Sequence, residues 1–107
     1  VDAGAALAEL EALRKRAPRD PQVAGFAARL LRHAGRPAEA CLTASEAIQM
    51  AVLADRPTIA LDLLRDFRDV AERISLDPAT AQTVSEAALR DGDDGLAKLA
   101  LEQGRFG

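Results

Sequence analysis

Pro21, Gly35 and Pro37 constrain this chain more than any other residues. Proline suits the first turn of a helix, where its missing N–H would have no partner, and glycine suits the position just past the end. The segment 21–34 therefore reads as one helix, and a second begins at Pro37. A connection this short makes the two helices an antiparallel pair. Val23, Phe26, Ala27, Leu30, Leu31 and Ala34 recur at helical spacing and predict the buried face of the first helix.

The same punctuation divides the rest of the 107 residues. A helix over 3–16 is expected, with Asp2 as N-cap, the stripe Ala3, Ala6, Leu10, Leu13 and Ala17, and Arg14, Lys15 and Arg16 at its C-terminal end. The helix from Pro37 should reach 54. Its second half, 47–54, is apolar nearly all round, which marks either burial between layers or an interface. A helix over 57–75 carries the stripe Ala60, Leu63, Leu64, Phe67, Val70, Ala71 and Ile74. Its wet face pairs Arg65 with Asp69, Arg68 with Glu72 and Asp69 with Arg73, each at a spacing of four. Asp77-Pro78 opens a helix to 90 with Ala81, Val84 and Ala88 inward. Gly92 stops it, and Asp93 or Asp94 caps a last helix to 103 on Leu96, Leu99 and Ala100.

Composition agrees. Hydrophobic residues make up 49% of the chain, but aromatics only 3%, so the apolar content is chiefly Ala and Leu, both strong helix formers. Val, Ile and Thr are too sparse to build a sheet. The expected fold is all-α: six helices in three antiparallel hairpins, stacked as a short α-solenoid in one domain over 1–107. The chain begins with Val1 and reads as a piece of a longer protein, or a processed one.

Internal similarity supports stacking. Sliding the sequence by 57 places sets Asp20-Pro21 on Asp77-Pro78, Ala24 on Ala81, Gly35 on Gly92 and Ala40 on Ala97. A weaker echo at 20 places sets Gly35-Arg36-Pro37 on Asp55-Arg56-Pro57.

Gly35 with Ala40, Gly92 with Ala97, and Ala6, Leu10, Leu13 and Pro18 one unit of about 34 residues upstream together resemble the tetratricopeptide repeat family. The resemblance covers roughly 3–47 and 78–101. It departs from the family where Ala24, Leu31 and Ala44 replace large aromatics, and where the third and fourth helices exceed the standard unit. A second likeness lies in the order Asp66-Phe67-Arg68, Leu76-Asp77-Pro78 and a Gly turn. It is similar to helical-repeat domains appended to bacterial membrane proteins, some rhomboid-type proteases among them. These resemblances imply a non-catalytic module that binds a peptide segment or neighbouring domain through its concave face. The alternative is a structural or dimerisation domain of a larger bacterial protein, membrane-associated or cytoplasmic.

Gln22, Arg29, Arg32, His33 and Arg36 lie opposite the expected core stripe. The tetratricopeptide resemblance places the exposed face of this helix along a peptide groove, and Arg29 where carboxylate-binding members hold a key polar residue. The strip is then a site for an acidic peptide, or simply a solvated helix face. Met50, Val52 and Leu53 are candidates for self-association into a homodimer.

Other chemistry is sparse. A net charge of −3 and a pI near 5.1 argue against nucleic acid. His33 is the only histidine and Cys41 the only cysteine, so neither a metal site nor a nucleophilic triad is expected, and no cofactor. Residues 91–102 imitate a calcium loop, but Gly95 takes a ligand position and Leu96 the glycine position, so a capped helix start is the expected reading. No apolar run is long enough to span a membrane.

Overall fold

The computed structural model describes residues 3–104. Among them are six α-helices, one 3-10 segment and no strand. The helices are α1 (Ala3–Arg16), α2 (Pro21–His33), α3 (Pro37–Leu53), α4 (Pro57–Asp66), α5 (Pro78–Arg90) and α6 (Asp94–Gly104). The described residues measure 38 × 25 × 23 Å. The N-cap expected at Asp2 lies outside them.

The helix ends fall where proline and glycine place them. Asp20 and Asp77 cap α2 and α5: Asp20 Oδ1 accepts from the Gln22 amide at 2.9 Å, and Asp77 Oδ2 accepts from the Thr80 amide at 3.2 Å. Three helices then end in the same hydrogen-bonded turn. Arg36 N donates to Leu31 O, Arg56 N to Ala51 O and Asp93 N to Ala88 O, at 3.0, 2.8 and 2.9 Å. In each, the preceding residue is left-handed: Gly35 at φ 80°, Asp55 at φ 57° and Gly92 at φ 77°. The echo at 20 places is therefore a shared turn geometry, with Asp55 doing what glycine does in the other two.

α3 is the central helix. It packs against α2, α4, α5 and the 3-10 segment. Ala40, Cys41, Thr43, Ala44, Ser45, Ala47, Ile48 and Ala51 are buried around it. Of the candidates for self-association, Met50 and Val52 are half-buried against the core, and Leu53 is 87% exposed. The most extensive helix pairs are α2–α3 and α5–α6, the two units that the 57-place slide superposes; α1 packs on α2.

Two expectations need correction. The helix from Pro57 ends at Asp66. Arg68–Arg73 is a 3-10 segment, bent at Val70 (φ −122°, ψ 24°). Three distant side chains hold it. The Arg32 guanidinium donates to the Asp66 carbonyl at 2.7 Å. Ser45 Oγ accepts from the Ser75 amide at 3.1 Å. The Gln103 amide, with its nitrogen facing the segment, donates to Ala71 O at 2.8 Å and Ile74 O at 3.2 Å. These bonds satisfy backbone groups that a continuous helix would pair internally. The apolar stripe still points inward, with Phe67, Ala71 and Ile74 buried. The ion pairs spaced by four along 57–75 do not form, because the turns that would align them are absent.

The second correction concerns α2. Its buried residues are Pro21, Ala24, Gly25, Ala27, Ala28 and Leu31, while Phe26 is 59% exposed and Val23 and Leu30 are half-buried. The helix meets its neighbours through its smallest side chains. A Cβ on Gly25 would stand 3.2 Å from Leu63 Cδ1 of α4, an approach that a large residue could not make.

Candidate functional site

Turning small residues inward turns Phe26 outward. Gln22, Phe26, Arg29 and His33 are all exposed on α2 at helical spacing. Two shallow grooves share Arg29. One, about 300 Å³, runs between α2 and α4 and includes Gln22, Gly25, Phe26, Ile59 and Asp62. The other, about 350 Å³, is lined by Arg29, Arg32, His33, Asp66 and Phe67. Phe26 also borders an apolar groove of about 660 Å³ between α1 and α2.

Both central arginines are engaged within the chain. Arg29 Nε donates to Asp66 Oδ2 at 2.5 Å. Arg32 pairs with Asp69, and its guanidinium carbon lies 5.2 Å from the Phe67 ring centroid. The Arg32 hydrogen bond holds the Asp69 carboxyl below the usual carboxylate range. Arg36 stands apart at the turn after α2, 4.0 Å from Glu39. The structure thus brings Gln22, Arg29, Arg32 and His33 to one face and leaves Arg36 at its edge.

A second set of charges continues from α4. Arg65 reaches Asp91 at 2.5 Å and Asp93 at 3.4 Å, and Arg68 reaches Asp93 at 3.5 Å. The Asp91 hydrogen bond raises the Arg65 pKa further above its ordinary value. Asp93 Oδ1 caps α6 by accepting from the Leu96 amide at 3.0 Å, and that bond is the main cause of its lowered pKa. The 91–102 segment is thus a helix start whose Asp91 and Asp93 are tied to arginines. No group of three or more His, Cys, Asp or Glu side chains placed to hold a metal occurs among the described residues. Cys41 is buried, and burial pushes its thiol pKa up, away from the reactive thiolate.

Sequence pattern placed Phe26 in the core and so left it out of the site. Gly25 carried the missed signal: a glycine in a helix interior costs stability relative to alanine, and here its compensation is the close approach to Leu63.

No helix among the described residues is long and apolar enough to cross a membrane. The chain matches no family model, no curated protein and no solved structure.

Proposed function

We propose that the chain is a non-catalytic protein-binding module of stacked, tetratricopeptide-like helical hairpins, and that it takes a peptide segment along the outward face of α2. The observation that carries this reading is Phe26, exposed near Arg29 where the α2–α4 groove and the α1–α2 groove meet. Aromatic and arginine side chains are the residues on which protein interfaces concentrate their energy. Phe26 is 59% exposed on a helix whose buried residues are mostly small, so most of its ring is open to a partner.

The internal ion pairs refine the expected ligand. Arg29 and Arg32 already face Asp66 and Asp69, so an acidic peptide must displace those carboxylates. A segment with an apolar anchor over Phe26 and Ile59, and a single carboxylate beside Arg29, fits the face better than a polyacidic one.

Peptide display selection against the intact chain tests this. Enriched sequences should share an apolar residue, and the amide shifts they cause should map to α2 and α4. Phe26→Ser should weaken binding at least tenfold with helicity retained, and Arg29→Glu should weaken it less. Shifts confined to another face, or binding indifferent to Phe26→Ser, would defeat the proposal.

A further inference from the structure

We propose that the free face of α1 is a two-fold interface between two copies of this chain. α1 packs on α2, with Arg14 reaching Glu46 of α3 at 3.9 Å. On its open side, Ala6, Glu9, Leu13 and Arg16 follow one another at steps of three and four. With Phe26 and Leu30 of α2 they line the open apolar groove of about 660 Å³. Leu13 is 44% exposed there, although it belongs to the stripe that the sequence turns toward the core.

The charges identify the occupant. Glu9 and Arg16 stand two turns apart at opposite ends of this face, about 10 Å along the axis at 1.5 Å per residue. Neither has an ion-pair partner among the described residues. A stripe with an anion at one end, a cation at the other and leucine between is complementary to itself after a half-turn. Two copies of α1 crossing antiparallel set Glu9 of each against Arg16 of the other. The axis then passes beside Ala12 and Leu13, where the small Ala12 lets the helices approach and Leu13 meets its own copy. A two-fold contact demands this reciprocity, in which residue i meets j and j meets i. The second copy also covers Phe26 and Leu30.

The interface shares Phe26 with the peptide face between α2 and α4, so the variants that test it lie on α1 alone and leave that side chain in place. Sedimentation velocity from 1 to 100 μM is expected to show a reversible dimer. Glu9→Arg and Arg16→Glu should each weaken it at least tenfold, by placing like charges together. The double variant Glu9→Arg/Arg16→Glu should restore it, because the swapped pattern is again self-complementary. At concentrations where all four proteins are monomeric, their melting curves should be alike. As a second measurement that leaves these charges intact, Leu13→Cys in a Cys41→Ala background should give an interchain disulfide on mild oxidation. A monomer at 100 μM, single variants that dimerise like the parent, or a double variant that stays monomeric would each overturn the proposal. Peptide binding measured at concentrations too low for the dimer to form should be the same for the parent and for every α1 charge variant, which keeps the two readings apart.

Discussion

The Ser45 hydroxyl on α3 accepts a hydrogen bond from the Ser75 amide at 3.1 Å while donating to Cys41 O at 2.8 Å, so one buried side chain bridges the central helix and the strand-like exit from the 3-10 segment. Ser45→Ala removes the acceptor and leaves the part-buried amide without it. The expected loss is about 1–2 kcal/mol. Hydrogen exchange should show where it falls, with faster exchange at 74–76 and little change in α2. An unaltered melt and unaltered exchange would mean that the bridge contributes nothing.

Phe67 and Phe26 form a matched pair with opposite environments. Phe67 is 1% exposed among Leu63, Leu64 and Ile74, whereas Phe26 is 59% exposed. Phe67→Ala should cost about 3–5 kcal/mol by cavity formation. Phe26→Ala should stay within about 0.5–1 kcal/mol. Chemical denaturation of both variants checks this, and equal costs would show that α2 is turned differently about its axis.

Asp55 occupies the left-handed position that Gly35 and Gly92 occupy elsewhere. Asp55→Gly should therefore stabilise the chain by about 0.5–1 kcal/mol, because only glycine adopts this conformation without a steric penalty. Gly35→Ala should destabilise it by about 1–2 kcal/mol for the same reason. The predicted changes have opposite signs at equivalent turns, so thermal melts of the two variants test the shared geometry directly.

Acid should unfold the chain through particular carboxylates. Asp69, Asp77 and Asp93 all have folded pKa values below their ordinary ones, caused chiefly by Arg32, by the Thr80 hydroxyl and by the Leu96 amide. A depressed carboxylate stabilises the fold above its unfolded pKa, near 3.9. That stabilisation disappears as pH falls through the lower folded value. The melting temperature should be flat from pH 7 to about 5 and fall below about 4. Asp77→Asn, which keeps an oxygen acceptor but has no charge to lose, should fall less steeply over that range. A constant melting temperature down to pH 2 would remove these groups from the account.

The helix ends were legible because proline, glycine and aspartate act locally. Pro21, Pro37, Pro57 and Pro78 all open helices, and Gly35 and Gly92 both close them. The break after Asp66 was not legible, since no proline or glycine lies between Asp66 and Ile74 and the bonds that hold it come from Arg32, Ser45 and Gln103. The phase of α2 misled for a different reason. Large apolar residues normally mark the buried side, but α2 is buried chiefly through Ala24, Gly25, Ala27 and Ala28, with Gly25 against Leu63 of α4. The basic strip could be read from helical spacing. Its neutralisation by Asp66 and Asp69, 37 residues away along the chain, could not.

Alanine-rich contacts between helices have a weakness that the two sets of ion pairs address. Ala24, Gly25, Ala28, Ala40, Ala44, Ala47 and Ala51 give the α2–α3 hairpin surfaces of low relief, and its own short turn fixes the two helices to each other but not to α4. Charges do not slide so easily. Arg29 and Arg32 index α2 against Asp66 and Asp69, and Arg65 and Arg68 index α4 against Asp91 and Asp93. A shift of one turn, about 5.4 Å, would break every pair in a set at once. Such exposed pairs add little to stability; their effect is to select one register among several of similar energy.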